Sequence, residues 1–179
     1  MITDRAVVLD TCVLINLLAS GRVAEIVRVI ASSRMVCSAV SEESLYLRPL
    51  EAEGRPEAVD LQTLIDAGVL TSCQLEGSAE EDLYVSYASE LDDGEAMSLA
   101  IAQSRNLALA TDEKKARRLA RENAPQLLII STAEIIRAWA EDKERRDVAA
   151  VLRSILARAR FRPPESDPLA TWWNEILGM

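Results

Sequence analysis

The sequence predicts an α/β fold with a mainly parallel central sheet. Short apolar runs at 6–9, 35–40, 107–110 and 127–130 indicate strands, and the first is too uniformly apolar for a strand with one exposed face. Segments of helical character separate these runs, and this alternation is typical of parallel sheets. With 179 residues, of which 49% are hydrophobic, the chain is long enough to bury a substantial core in one domain.

The helices of the predicted core lie between and after these strands. They are expected at 11–19, 22–31, 57–67, 79–91, 96–104 and 113–123. Ser20-Gly21 separates the first two, and Gly68 ends the third. The acidic segment 92–95 separates the fourth helix from the fifth.

Three connections complete the predicted core. Ser41 is expected to cap a helix after the second strand, with Glu42 and Glu43 in its first turn, where the helix dipole favours acidic side chains. Residues 48–55 predict a loop, because they contain proline, glycine and mixed charge. Residues 69–75 predict a short extra strand or an extended connection.

From Ser131 onward the chain is predicted to be helical. Apolar residues recur on one helical face at Val148, Val151, Leu152, Ile155, Leu156 and Ala159. Pro163-Pro164 ends that helix, and a last amphipathic helix follows at 169–177. We expect one domain over residues 1–179, with a core at 1–131 and a helical extension at 132–179 that packs on this core or on a partner chain.

The chain contains no histidine, which limits its chemistry. This excludes Ser-His-Asp and Cys-His catalysis, histidine-based ribonuclease chemistry and the usual zinc sites. An enzyme with this sequence would depend on carboxylates, hydroxyls, lysine or a metal ion. The six glycines form neither Gly-x-Gly-x-x-Gly nor a P-loop, which argues against dinucleotide and ordinary nucleotide binding.

The net charge of −9 does not suggest a nucleic-acid-binding protein on electrostatic grounds. An acidic chain can still act on nucleic acid when metal ions bridge its carboxylates to phosphates. Cys12, Cys37 and Cys73 form no Cys-x-x-Cys motif and are expected to be buried, reduced thiols. No apolar run is long enough to cross a bilayer and the first residues lack a basic signal-peptide region, so we expect a cytoplasmic protein.

Four acidic residues lie at the ends of predicted elements. Asp10, Glu43 and Asp112 follow strands, and Glu95 begins a buried helix. Because parallel strands end at the same edge of a sheet, these carboxylates would lie close together, where open α/β sheets bind ligands. Such crowding raises the pKa of a carboxyl group unless a cation compensates it, and hard oxygen ligands suit Mg²⁺ or Mn²⁺. Each acid also has a simpler interpretation as a helix cap or a charge at a helix N-terminus.

Four sequence segments surround these acids. They are Val-Val-Leu-Asp-Thr-Cys-Val-Leu-Ile-Asn-Leu-Leu, Ser-Glu-Glu-Ser-Leu-Tyr, Asp-Gly-Glu-Ala-Met-Ser-Leu-Ala-Ile-Ala and Leu-Ala-Thr-Asp-Glu-Lys-Lys-Ala-Arg. In this order they resemble the opening motif, the second acidic motif, the Gly-Glu-Ala helix and the Thr-Asp-Asp-x-x-Ala-Arg segment of the PIN-domain family, in particular its VapC-like ribonucleases. The resemblance covers about residues 5–131, and the tail through Arg-Phe-Arg-Pro-Pro is similar to the C-terminal part of a bacterial and archaeal subgroup.

The resemblance implies a three-layer α/β/α sandwich and a Mg²⁺- or Mn²⁺-dependent endoribonuclease. By motif match, Asp10, Glu43, Glu95 and Asp112 form the catalytic and metal-binding quartet, with Thr111 as the small polar residue beside it. Asp10 and Asp112 would be the direct metal ligands. Many bacterial members are toxins of toxin–antitoxin pairs, and many form dimers. The implied partners are therefore RNA, a small antitoxin protein and a second copy of the chain.

Two assignments within the quartet have competitors next to them. Glu42 could replace its neighbour Glu43 as the second acid, and Asp92 or Asp93 could replace Glu95.

The basic residues after Asp112 have two interpretations. They are Lys114, Lys115, Arg117, Arg118 and Arg121. Some of them, with Thr111, Lys114 and Arg117 as the substrate-binding candidates, would hold RNA beside the metal, or the run is a solvated helix face that offsets nearby acids. Asn16, about one and a half helical turns beyond Asp10, either points toward the site or is simply a buried polar residue.

Two rival functions remain beside the nuclease toxin. One is a non-catalytic PIN-like module that binds protein or RNA, and metal binding would separate it from the enzyme. The other is a stand-alone housekeeping nuclease, which the absence of an antitoxin gene would favour. A haloacid-dehalogenase-like phosphatase is set aside, because it needs an aspartate where this chain has Cys12.

Overall fold

A computed structural model describes residues 1–43, 45–49 and 54–179 of the chain. The strands are β1 (Val7–Leu9), β2 (Arg34–Cys37), β3 (Leu45–Leu47), β4 (Glu57–Val59), β5 (Thr71–Cys73), β6 (Ala108–Ala110) and β7 (Leu128–Ile130). Five of them form a sheet in the order β5-β2-β1-β6-β7, in which each strand runs parallel to its neighbours. Strands β3 and β4 form a separate antiparallel ribbon.

Helices cover both faces of the five-stranded sheet. They are α1 (Thr11–Ala19), α2 (Val23–Ile26), α3 (Ser38–Glu42), α4 (Leu61–Asp66), α5 (Ser78–Ala88), α6 (Asp93–Ser104), α7 (Lys114–Asn123), α8 (Thr132–Trp139), α9 (Arg145–Ala159) and α10 (Ala170–Leu177). Helix α6 contacts β1, β2 and β6 and packs against α5 and α7, whereas α1 packs against α8 and α9. The predicted three-layer α/β/α sandwich is confirmed. No helix in the described ranges is long and apolar enough to span a bilayer.

Strand β1 lies in the middle of the sheet and explains the uniform apolar run that predicted it. All of its residues are completely buried, because helices cover both faces of a parallel sheet. The C-terminal helices pack on the same core, since Val148, Leu152 and Trp173 join the cluster of buried residues that includes β1.

The second predicted strand is wrong in its second half. The chain leaves the sheet after Cys37, and residues 38–42 form α3, so Ser41 lies inside a helix and does not cap one. Glu43 follows the end of α3 in an extended conformation. The apolar run misled because a short run cannot distinguish a strand from a buried turn of helix, and Val40 is buried on α3.

The predicted helix at 57–67 is wrong in its first part. Residues 57–59 pair with β3 as strand β4, and α4 begins only after Asp60, whose Oδ1 accepts a hydrogen bond from the Gln62 backbone N at 2.9 Å. The helix expected at 22–31 is also shorter, as α2 followed by a 3-10 turn at Val27–Val29. The extra strand proposed within 69–75 is present as β5, and residues 50–53 of the predicted loop lie outside the described residues.

Candidate active site

The carboxyl ends of β1 and β6 meet at the centre of the sheet edge. Leu9 is in register with Ala110, and the Asp10 backbone N donates to the Ala110 carbonyl at 3.0 Å. Asp10 and Thr111 therefore leave neighbouring strands side by side. The Thr111 hydroxyl donates to Oδ2 of Asp10 at 2.7 Å and accepts from the Glu113 backbone N at 3.1 Å. Thr111 is completely buried, so its hydroxyl orients Asp10.

Asp10 is both the N-cap of α1 and the most buried of the four predicted acids. Its carboxylate accepts from the Thr11 backbone N at 2.8 Å and from the Cys12 thiol at 3.3 Å, in addition to Thr111. The side chain is 1% exposed. Burial raises the pKa of Asp10, although these hydrogen bonds act in the opposite direction.

Three of the predicted acids line one cavity. Asp10, Glu43 and Glu95 surround a space of about 260 Å³ together with Asp92 and Glu113, and no lysine or arginine of the described residues lines it. Burial, and then the charge of Asp10, raise the pKa of Glu95 to about 7. Glu43 is exposed at the mouth, where partial burial and the charges of Asp10 and Asp92 raise its pKa. The cavity thus collects negative charge that no basic lining residue compensates.

Of the two neighbours Glu42 and Glu43, it is Glu43 whose side chain reaches the cavity. Glu43 lines the cavity, and its Oε2 accepts a hydrogen bond from the Thr11 hydroxyl at 2.9 Å. Its other oxygen lies over Gly94 in the first turn of α6, so close that a Cβ on Gly94 would be 2.6 Å from it. Glycine at position 94 therefore makes room for the Glu43 carboxylate.

If the site cleaves RNA, as the resemblance of the motifs implies, Gly94→Ala is expected to lower the cleavage rate at least about tenfold, because the new methyl group must displace Glu43 and an error of 1 Å at a reacting centre can cost about 100-fold. The new Cβ would also lie 3.1 Å from Val40 Cγ2, so the methyl group cannot avoid Glu43 by moving toward Val40. Alanine is also the better helix former, so the melting temperature should change little. Cleavage rates and thermal unfolding of the variant and the parent check this, and parental cleavage by the variant would contradict it.

Asp112 lies beside this cavity and lines a neighbouring cleft. Its Oδ1 accepts from the Thr132 backbone N at 3.0 Å, and its Oδ2 accepts from the Thr132 hydroxyl at 2.5 Å and from Asn16 Nδ2 at 3.1 Å. Burial raises its pKa against these bonds. The Asp112 backbone N also donates to Cys12 Sγ at 3.3 Å, so Cys12 links Asp112 to Asp10.

Three residues that support the site have a larger role than their sequence context indicates. Asn16 does point toward the site, where it donates to Asp112 and, at 3.1 Å, to the Thr132 hydroxyl. Cys12, expected to be an ordinary buried thiol, is only partly buried and lies between the Asp10 carboxylate and the Asp112 backbone N. Thr132 was not identified, although it lies two residues after β7 as Asp112 lies two residues after β6, and the rule that strands end at one edge would have indicated it.

The donor chemistry of the site fits a hard divalent cation. Among residues 1–43, 45–49 and 54–179, no three acidic or cysteine side chains already stand in a metal-binding arrangement. However, five carboxylates line the cavity and no basic side chain of the described residues does. Crowded carboxylates with raised pKa values are the groups whose repulsion a Mg²⁺ or Mn²⁺ ion would relieve.

Glu95→Gln is expected to stabilise the metal-free protein at alkaline pH. The pKa of Glu95 rises from 4.5 to about 7 on folding. Its negative charge therefore leaves the free energy of unfolding unchanged below pH 4.5 and lowers it by the full amount above pH 7. Partial exposure screens the effect to about 1 kcal/mol, which corresponds to a gain of about 2–4 °C in melting temperature. Melting curves in EDTA at pH 5 and pH 8 check this, and a gain that is equal at both would contradict it.

The basic residues of α7 differ in their surroundings. Lys114, Arg117 and Arg121, at helical spacing i, i+3 and i+7, line the cleft next to Asp112. Arg118 forms ion pairs with Glu90 at 2.7 Å and with Glu122 at 2.8 Å. Arg118 thus offsets nearby acids, whereas Lys114, Arg117 and Arg121 line the cleft, and that they hold RNA stays a prediction.

Comparison with known proteins agrees with this fold. A family model described as a PIN domain matches residues 6–166, which is most of the chain. Searches of curated proteins and of solved structures found no match. The chain belongs to the PIN-domain family.

Proposed function

We propose that this chain is a metal-dependent endoribonuclease that hydrolyses RNA phosphodiester bonds. PIN domains are nuclease-type folds. The observation that carries the proposal is the cavity at the sheet edge, lined by five carboxylates and by no basic side chain among the described residues. A non-catalytic module has no need of such unfavourable charge, whereas a Mg²⁺ or Mn²⁺ site requires it.

Each acid has a role in this proposal. Asp10 and Asp112 would hold the ion directly, and Glu43 and Glu95 would complete the site or position waters. A bound ion would lower the pKa of a water molecule and neutralise developing negative charge on the phosphate. Thr111 orients Asp10, since its buried hydroxyl donates to that carboxylate, and it is assigned to this role instead of substrate contact.

Supporting groups hold the second direct ligand and the substrate. Asn16 and Thr132 fix the Asp112 carboxylate by hydrogen bonds, as partners of metal ligands generally do. Lys114 and Arg117 line the cleft beside Asp112 and hold RNA phosphates there.

Titration of the purified chain with Mn²⁺ tests the proposal. A ligand that binds the folded state stabilises it by about 2.7 kcal/mol at 100 times its dissociation constant, so the melting temperature should rise with Mn²⁺. A labelled single-stranded RNA should be cleaved with Mn²⁺ or Mg²⁺ and remain intact in EDTA. RNA binding without cleavage, or a melting temperature indifferent to Mn²⁺, would favour the non-catalytic alternative.

We also propose the toxin role within a toxin–antitoxin pair. The support for it is the resemblance of the motifs to VapC-like ribonucleases, which also suggests a dimer. A short neighbouring reading frame that encodes a DNA-binding protein, whose product stops RNA cleavage when added, would support this role. A gene without such a neighbour would indicate the stand-alone nuclease.

A further inference from the structure

A second and larger cleft opens beside the acidic cavity. It has a volume of about 710 Å³ and lies between helix α7 and the segment 161–168, which joins α9 to α10. Asp112 lies on its wall, so the cleft is continuous with the candidate active site. This volume is within the range of about 300–1000 Å³ that is typical of ligand clefts.

The lining of this cleft is basic in a strongly acidic protein. Four basic side chains and two acidic ones line it, with Lys114, Arg117 and Arg121 on one side and Arg162 on the other. The whole chain has a net charge of −9. The cleft is therefore a local concentration of positive charge against the charge of the rest of the molecule.

These basic groups are not used in ion pairs within the described ranges. The carboxylates that pair with arginine or lysine there engage other residues, such as Arg118 of the same helix. Arg117 donates to the Thr111 carbonyl at 3.1 Å. Burial raises the pKa of Asp112, and the charge of Arg117 opposes that rise. Its guanidinium thus stands next to the acidic site.

Arg162 is held in place by a neutral partner. Its Nε and Nη2 donate to Asn174 Oδ1 at 3.1 and 2.7 Å, so the side chain is oriented while its charge is retained. The preceding Phe161 packs edge-on against the completely buried Trp173, with ring centroids 5.5 Å apart. The segment that carries Arg162 is therefore anchored to the core through α10.

We propose that this cleft binds the sugar-phosphate backbone of single-stranded RNA on one side of the scissile bond, with Arg121 and Arg162 as substrate-binding residues on its two walls. The inference rests on the proposed nuclease function and adds a path for the strand. Phosphates bind cationic side chains that are not already paired with a carboxylate, and arginine binds them with two parallel hydrogen bonds. A positively charged groove that follows the backbone is the usual way in which proteins bind a single strand.

Arg162→Gln and Arg121→Gln test this assignment. Each is expected to weaken binding of a labelled single-stranded oligoribonucleotide about tenfold, as the loss of a charged hydrogen bond does. Each should also reduce the slope of log affinity against log salt by about 0.7, the contribution of one phosphate contact on a single strand. Binding is measured in EDTA by fluorescence anisotropy, and with Mn²⁺ the same variants should raise KM for cleavage with little change in kcat.

Arg118→Gln is the matched control, because it removes the same charge from the same helix at a residue that does not line the cleft. It should bind RNA like the parent. Arg121 and Arg162 are exposed, so thermal unfolding of all three variants should resemble that of the parent.

The outcomes separate this inference from the proposed function. If the parent cleaves RNA and the Arg121 and Arg162 variants behave like the Arg118 control, the cleft assignment is overturned and the nuclease remains. If the parent neither binds nor cleaves RNA, both proposals fail. If a polyglutamate peptide binds the cleft more tightly than RNA and the two variants lose that binding, the cleft is a site for an acidic protein partner and the RNA assignment is overturned.

Discussion

Asp10→Asn is expected to lower RNA cleavage at least about 100-fold, because even the outer partners of a metal ligand are worth about 10–100-fold. The side chain keeps its shape, and its remaining oxygen can still accept the hydrogen bond from the Thr11 backbone N. The Thr111 hydroxyl can rotate to accept from the new amide. Since burial already disfavours the charge of Asp10, the metal-free variant should melt at or above the parental temperature.

The measurements are Mn²⁺-induced thermal shift and cleavage of a labelled RNA. Asp82→Asn is the control, since it makes the same chemical change at an exposed position of α5 and should leave both readouts unchanged. Parental cleavage by Asp10→Asn, in a sample that is folded, would remove Asp10 from the active site.

Asp112→Asn is expected to lower RNA cleavage about as much as Asp10→Asn does, while the protein still folds. One oxygen can still accept from the Thr132 backbone N, and the new amide can donate to the Thr132 hydroxyl. Asn16 must then turn its own amide, so that its oxygen faces the substituted side chain. The loss of a charge that burial disfavours offsets the cost of this rearrangement.

Thr132→Val tests the orientation of Asp112 alone, because it leaves the charge of the Asp112 carboxylate unchanged. Valine has nearly the shape of threonine at this completely buried position, but it removes the hydroxyl that donates to Asp112. Mn²⁺ affinity should fall about 10–100-fold, with activity between that of the parent and that of Asp112→Asn. Cleavage rates at saturating Mn²⁺ check the order, and Thr132→Val with parental Mn²⁺ affinity would argue that Asp112 is not a ligand.

The parts of the fold predicted from sequence are those with local signals. Strand β1 is completely buried, and its uniform apolar run shows this directly. Strand β4 was missed because its existence depends on pairing with β3, in which Leu45 lies opposite Val59. Helix α3 at 38–42 was missed because the alternation of apolar residues in a strand cannot be distinguished from helical periodicity over so few residues.

The candidate site divides in the same way. Asp10 and Asp112 could be placed at one edge because Asp10 directly follows an apolar strand and Asp112 lies two residues after another. Their supporting contacts were beyond local reasoning, because the Cys12 thiol joins the Asp10 carboxylate to the backbone N of Asp112, which is 100 positions away from Cys12. The close approach of Glu43 to Gly94 likewise follows from the packing of α3 on α6.

The hydrogen bonds that build the site join distant parts of the chain, and this has a consequence for synthesis. The Thr111 to Asp10 bond spans 101 positions, and the Asn16 to Thr132 bond spans 116. At roughly 5–20 residues per second, Thr132 leaves the ribosome on the order of ten seconds after Asp10. Until then Asp112 has no partner on α8, so a nascent or truncated chain that ends before Thr132 carries all four acids without the support that orients Asp112.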